Sequence, residues 1–212
     1  GKIYVLLGPN GSGKTTLSNA ISGNPKLKKT GEIIFNGENI INFKPNEIAR
    51  KGIFMSFQNP PDVFGVSISS FLRNSYNSIN KDKLSVLDFQ KLLIKTAEKL
   101  GLDFDFLERN LEGFSGGEKK KLEILQLLIL NPKFAILDET DSGLDVDSLK
   151  TISRGIYEFI NSEKTILIIT HHTKILDYLK PDKVFVMKNG KIVREGKKEL
   201  LDLIESKGYE DF

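Results

Sequence analysis

A chain of 212 residues, 39% hydrophobic and 28% charged, can fill one core, and its length fits one domain or one domain carrying an inserted lobe. Its 31 basic and 28 acidic residues leave a formal net charge of +3, so no strongly basic surface argues for nucleic acid. The absence of cysteine excludes a disulfide frame and a thiolate metal centre.

The chain opens as strand, loop and helix. Ile3 to Leu7 reads as a buried strand, Gly8 to Gly13 as a glycine-rich turn, and Lys14 to Ser22 as a helix ending at Gly23. Such a start carries no signal or transit segment, and with so little before Gly8 a natural N-terminal piece is expected upstream. Short strands are predicted at Glu32 to Phe35 and Ile53 to Phe57, and a parallel α/β core is the natural inference. From Ser67 to about Leu107 apolar residues recur at helical spacing, as in Leu87, Leu92, Leu93, Ala97 and Leu100, which predicts a helical lobe inserted between core strands.

Gly117 to Leu130 follows as a helix, with Leu122, Leu125, Leu128 and Ile129 on one stripe and Asn131-Pro132 as its stop. Its apolar stretch is broken by Glu123 and Gln126 and is far shorter than the roughly 20 residues of a bilayer span. Phe134 to Leu137 has the unbroken apolar character of a strand buried on both faces. Asp147 to Ile160 is a second helix, with Leu149, Ile152, Ile156 and Phe159 inward. Strands at Thr165 to Thr170, Lys183 to Met187 and Ile192 to Arg194 complete the core, the last two joined by Asn189-Gly190, a hairpin signal. The basic runs Lys26 to Lys29 and Lys119 to Lys121 read as solvated faces.

Gly8-Pro9-Asn10-Gly11-Ser12-Gly13-Lys14-Thr15, followed by Thr16, fits the phosphate-loop pattern, in which successive backbone N–H groups curl around phosphate oxygens. Lys14 would reach the β- and γ-phosphates and the Thr15 hydroxyl would ligate Mg²⁺. Asp138 and Glu139 end a buried strand, where open α/β sheets present their ligand crevice. Two adjacent acids there are common and can be mere caps. A phosphate loop upstream favours Asp138 as the Mg²⁺ acid and Glu139 as the general base. Ser115-Gly116-Gly117-Glu118 opens a helix and could grip a second phosphate, although alone it reads equally as an N-cap.

The order of phosphate loop, Gln58, Ser-Gly-Gly-Glu, Leu-Asp-Glu, Ser142-Gly143-Leu144-Asp145 and Thr170-His171 resembles the full motif set of the ABC ATPases. The resemblance implies a P-loop ABC-ATPase fold of α/β class, with a mainly parallel core sheet flanked by helices (1–66 and 112–212) and an inserted helical subdomain (67–111). It implies ATP and Mg²⁺ as cofactors, with Gln58 contacting the metal and sensing the helical lobe. It also implies Asp145 in a loop that crosses a dimer interface, and His171 as a switch near the γ-phosphate. His172 has no role in the pattern and reads as an exposed histidine. In that family the Ser-Gly-Gly element completes the site of a second chain, so a nucleotide-dependent head-to-tail homodimer with ATP sandwiched between copies is expected. The family's adenine-stacking aromatic residue belongs to an N-terminal antiparallel segment that has no counterpart here, and Tyr4 falls in the core strand.

Several stretches are similar to the SufC branch, the ATPases of the Suf iron–sulfur cluster assembly system. These are Gly52-Ile-Phe-Met-Ser-Phe-Gln-Asn-Pro-Pro, Gly113-Phe-Ser-Gly-Gly-Glu-Lys-Lys, Leu137-Asp-Glu-Thr-Asp-Ser-Gly-Leu-Asp-Val-Asp and Asp177-Tyr-Leu-Lys-Pro-Asp. That likeness implies SufB- and SufD-like scaffold partners docked near Gln58 and the helical lobe, and a cytoplasmic or stromal location. Without cysteine, any link to clusters runs through those partners. Transporter subunits, the rival class, usually carry Glu-Pro-Thr-Ser where this chain has Glu139-Thr140-Asp141-Ser142, and Gln where it has Glu118. Asp141 beside Glu139 raises the expectation that these acids pair with a base such as Lys120 in the free monomer. A chromosome-organising ATPase would need long heptad coiled coils, which are absent. A nucleotide-gated clamp is disfavoured because all the hydrolytic residue types are present.

Overall fold

The computed structural model describes residues 1–56, 63–139, 144–171 and 174–209. In chain order they form β1 (Lys2–Leu7), α1 (Lys14–Ile21), β2 (Ile34–Phe35), β3 (Glu38–Asn39), α2 (Pro45–Arg50), β4 (Ile53–Ser56), α3 (Ile68–Ile79), α4 (Val86–Leu100) and α5 (Phe104–Glu108). There follow α6 (Gly116–Leu130), β5 (Phe134–Asp138), α7 (Val146–Phe159), β6 (Thr165–Ile169), β7 (Lys183–Lys188), β8 (Lys191–Gly196) and α8 (Lys198–Lys207). A single 3₁₀ turn at Lys174–Asp177 stands between β6 and β7. The chain divides into two units, one of residues 1–58, 132–142 and 160–212, the other of residues 59–131 and 143–159.

The first unit is built on a six-stranded sheet in the order β4-β5-β6-β1-β7-β8, parallel except for β8. Val5, Leu7, Ala135, Ile136, Leu137 and Ile166 are fully buried, because a parallel sheet is covered on both faces. Leu6, Ile136, Ile169 and Met187 form its central cluster, against which α1 packs Leu17 and Ile21. Asn189 and Gly190, both at positive φ, make the tight turn into antiparallel β8 that their sequence predicts.

Two local features depart from the sequence reading. The strand expected at Glu32 to Phe35 is reduced to Ile34–Phe35, which pairs only with β3 across Asn36-Gly37 and stays outside the main sheet. Ile40 and Ile48 then pack with Ile53 beneath this hairpin. The unpredicted helix α2 starts at Pro45, where Glu47 accepts a hydrogen bond from the Lys44 N–H at 2.7 Å.

The second unit holds α3 to α7. Ser67, Ser85 and Asp103 cap α3, α4 and α5 with side-chain oxygens, as helix N-termini require. On α4 the core side chain is Phe89, whereas Leu87, expected inward, is 70% exposed, since it sits two residues from Phe89 and on another face. Helix α6 is enclosed by α3, α4 and α7, so burial extends past the expected stripe to Ile124 and Leu127. The basic run on α6 is not a solvated face throughout: Lys120 is buried, and its Nζ lies 3.0 Å from Glu123 of the same helix. On α7, Leu149, Ile152, Ile156 and Phe159 are buried, matching their helical spacing.

Helices α6 and α7 meet at Gly155, where an added Cβ would stand 2.1 Å from Ile124 Cγ2 and 3.0 Å from Leu100 Cδ2. Gly155→Ala is therefore expected to destabilise the protein by about 1–3 kcal/mol, overpacking outweighing the gain in helix propensity. A lowered urea midpoint at unchanged m-value is the measurement; a raised midpoint contradicts the packing argument.

Candidate functional site

Three adjacent strands, β5, β6 and β1, end side by side, and each delivers polar residues at its carboxyl end. From β1 the chain turns through Gly8 to Gly13 into α1. Gly13, the residue before α1, lies at φ 106°, which favours glycine, and a Cβ on Gly8 would stand 2.3 Å from the Met187 carbonyl oxygen. The β7–β8 turn clasps this loop from outside, the Gly190 N–H donating to the Ser12 carbonyl at 2.8 Å. Lys14 is buried, and its ammonium donates to the carbonyls of Gly8 at 2.7 Å and Pro9 at 3.1 Å. Burial lowers its pKa, against the pull of the Glu139 and Asp138 carboxylates.

Asp138 closes β5 and is fully buried. Its N–H donates to Ser56 Oγ on β4 at 3.2 Å, and its Oδ2 accepts from Ser18 of α1 at 2.8 Å. Its Oδ1 is buried without a hydrogen-bond partner, an arrangement that costs free energy unless another group arrives. Burial raises the Asp138 pKa, while Ser18, the nearby Thr15 hydroxyl and Lys14 draw it down, and the Glu139 charge adds to the rise. The carboxylate and the nearby Thr15 hydroxyl present oxygen donors only, which suits a hard cation bound with a triphosphate. Among the described residues no three His, Cys, Asp or Glu side chains gather into a metal cage.

Glu139 takes a positive φ of 51° while its N–H still donates to the Ile169 carbonyl at 2.8 Å, so the chain swings out of the sheet at that residue. Its Oε1 stands 3.3 Å from Nδ1 of His171, which follows β6. Glu139 faces His171 and Lys120 faces Glu123, while Asp141, the other acid of the expected pairing with Lys120, lies outside the described residues.

In the second unit, Ser115 is the N-cap of α6. Its Oγ accepts from the Glu118 N–H at 3.3 Å, and a Glu118 carboxylate oxygen accepts from the Ser115 N–H at 2.8 Å, a reciprocal capping box. The Ser115 N–H is thereby engaged, and the N–H groups of Gly116 and Gly117, with no intrahelical partner, and the Ser115 O–H remain to meet an anion. A Cβ on Gly116 would meet open space. Arg109 completes the arrangement: its guanidinium bonds the other Glu118 oxygen and lies 4.3 Å from the centre of the Phe114 ring. The Ser115 N–H, first, and then Arg109 pull the Glu118 carboxyl down to about 2. Asp145 caps α7, accepting from the Ser148 N–H at 2.7 Å.

Sequence reasoning thus finds its residues at three neighbouring strand ends and at two helix N-termini. Gln58, Thr140, Asp141, Ser142, Gly143 and His172 lie outside the described residues. It missed Ser18, Ser56 and Arg109. Ser18 could have been found as the residue one helical turn after Lys14, on the face that α1 turns to β5.

Comparison with known proteins agrees with this geometry. Residues 1–142 match the ABC transporter family. The chain is 47% identical over 216 residues to a protein named "Probable ATP-dependent transporter ycf16" from Trieres chinensis, covering 99% of this chain and 86% of that protein. It is 46% identical to a "Probable ABC transporter ATP-binding protein" of Streptococcus pyogenes serotype M3, covering 99% and 83%. Among solved structures, a nucleotide-free ATP-binding cassette from an ABC transporter superposes at TM-score 0.74 with 29% identity, over 96% of this chain and 84% of that one. The dimeric cassette MJ0796 shares the fold at TM-score 0.80 with 20% identity, over 92% and 85%. The P-loop α/β architecture, the ordered motifs and these relatives agree: the chain belongs to the ABC transporter family as an ATP-hydrolysing ABC ATPase.

Proposed function

We propose that this ATPase hydrolyses Mg²⁺-ATP between two head-to-tail copies of itself and uses the closure to drive a SufB- and SufD-like scaffold during iron–sulfur cluster assembly. The observation that carries the catalytic half is the convergence at the ends of β1, β5 and β6: a buried Lys14, an Asp138 oxygen without a partner, and the Glu139–His171 pair. The backbone N–H groups from Asn10 to Thr16 cradle the phosphates and Lys14 neutralises their charge. Thr15, Asp138 and, by the family pattern, Gln58 hold Mg²⁺, which neutralises charge on the β- and γ-phosphates when bound. Glu139 accepts the proton of the attacking water, and His171, 3.3 Å away, keeps that carboxylate oriented.

A second anion grip at Ser115 to Gly117, in the other unit, supports the dimer. One triphosphate needs cradling on two sides, and each copy carries one grip of each kind, so exchange between two copies completes two sites. The loop of Leu144 and Asp145, together with Ser142 and Gly143, would line that interface.

The Suf reading rests on the Glu139-Thr140-Asp141-Ser142 run and on Glu118. Docking of a partner is supported by Val63 and Phe64, 38% and 78% exposed, in the stretch that follows Gln58. Among the described residues no helix is long and apolar enough to cross a membrane. The cytoplasm, or a stroma after removal of a transit segment, would suit such a complex. A second reading, the ATP-binding subunit of a membrane transporter, is favoured by the names of the relatives. Affinity purification of the tagged protein separates the two: a soluble scaffold carrying iron and acid-labile sulfide is expected, and a membrane permease in its place rejects the Suf assignment.

A further inference from the structure

Glu118 puts an anionic side chain at the third residue of α6, in the turn whose free N–H groups would receive a phosphate. An uncompensated carboxylate there opposes the incoming anion. Arg109 stands against it from a fixed position. Its carbonyl accepts the Ile68 N–H at 3.0 Å, the Leu111 N–H donates to the Val66 carbonyl at 2.9 Å, and Asn110 bridges Ser67 between them. The guanidinium lies over the Phe114 ring, 4.3 Å from its centre, and is bonded to Glu118, whose other oxygen accepts from the Ser115 N–H. The Arg109 backbone is thus tied to the start of α3 and its side chain to the start of α6.

We infer that Arg109 is a positioning residue for ATP hydrolysis: its charge cancels that of Glu118, so the N-terminus of α6 can accept the γ-phosphate held by another copy. This rests on the proposed role of Ser115 to Gly117 across the dimer. A neutral residue at 118 would need no such counter-charge, and the two positions should therefore behave as one unit. The place of the guanidinium over the Phe114 ring suits Arg better than Lys, but the charge is the part that acts.

The test is a double-mutant cycle of Arg109→Gln and Glu118→Gln, read as ATPase rate against protein concentration. Arg109→Gln is expected to lower the rate about tenfold in the parent and less than twofold in the Glu118→Gln background, with the ATP affinity of the isolated monomer unchanged. Raising the salt should recover part of the lost rate in Arg109→Gln, because an exposed repulsion is screened. Arg109→Lys, which keeps the charge, should retain most of the rate and covers the case in which Arg109→Gln folds poorly. Equal losses in both backgrounds, or a Lys variant as slow as the Gln variant, overturn the inference. Ser115→Arg, which blocks the grip itself, separates the two layers: if it hydrolyses ATP like the parent, the dimer reading fails first. If it is inactive while the cycle shows no coupling, only the role of Arg109 fails.

Discussion

Replacing Glu139 by Gln should slow ATP hydrolysis by about 10²–10⁴-fold, the range over which a positioned general base acts, while ATP binding persists. The substitution keeps the side-chain shape and removes the carboxylate's charge and its ability to take a proton. Positive φ and the N–H bond to Ile169 fix the Glu139 backbone, so the amide should occupy the same place. The 3.3 Å contact with His171 would be altered, but the backbone would hold. The Glu139 charge also supports the protonated form of Lys14 and raises the Asp138 pKa, so removing it eases Asp138 toward ionisation. Stopped-time product assays with equilibrium nucleotide binding are the measurement. Turnover at the parent rate would remove Glu139 from its role.

Mixing two inactive proteins should restore activity. Lys14→Ala removes the ammonium that neutralises phosphate charge, and Ser115→Arg blocks the N-terminus of α6, so each alone should hydrolyse ATP at least about 100-fold more slowly. In a mixed head-to-tail dimer one site carries both defects and the other carries neither. Random pairing of equal amounts gives half mixed dimers, hence about a quarter of the parent's intact sites. Both variants should fold. Lys14 bonds only carbonyls of its own loop, and Ser115 gives up a single N-cap, worth about 1 kcal/mol. No recovery on mixing would mean that each copy completes its own site.

The legible part of the fold and site is the part whose signal is local. A run of apolar residues ending in Asp138 and Glu139 announces a buried strand and its acids. The glycine pattern from Gly8 announces a loop whose backbone must turn tightly, and Asn189-Gly190 announces a hairpin. Ser56 and Arg109 were illegible because each meets its partner only in the folded chain, a hydroxyl at the Asp138 N–H and a guanidinium at Glu118, whereas Ser18 could be found only by its helical spacing from Lys14. Lys120 misled because a basic run reads as solvated until the helices around it are known, although its partner Glu123 stands only three residues on. Leu87 and Phe89 show a related limit: an apolar cluster at a helix start has several phases, and packing chooses among them. The hairpin of β2 and β3 depends on four residues, too few for alternation to register.

Strand β1 lies between β6 and β7, so it is flanked by neighbours made more than 150 residues later. A ribosome must therefore synthesise as far as Gly190 before the loop at Gly8 gains the turn that clasps it. Nascent fragments ending before Lys183 should be unable to retain nucleotide, and until β6 and β7 emerge the unpaired edges of β1 are a surface for chaperones to shield.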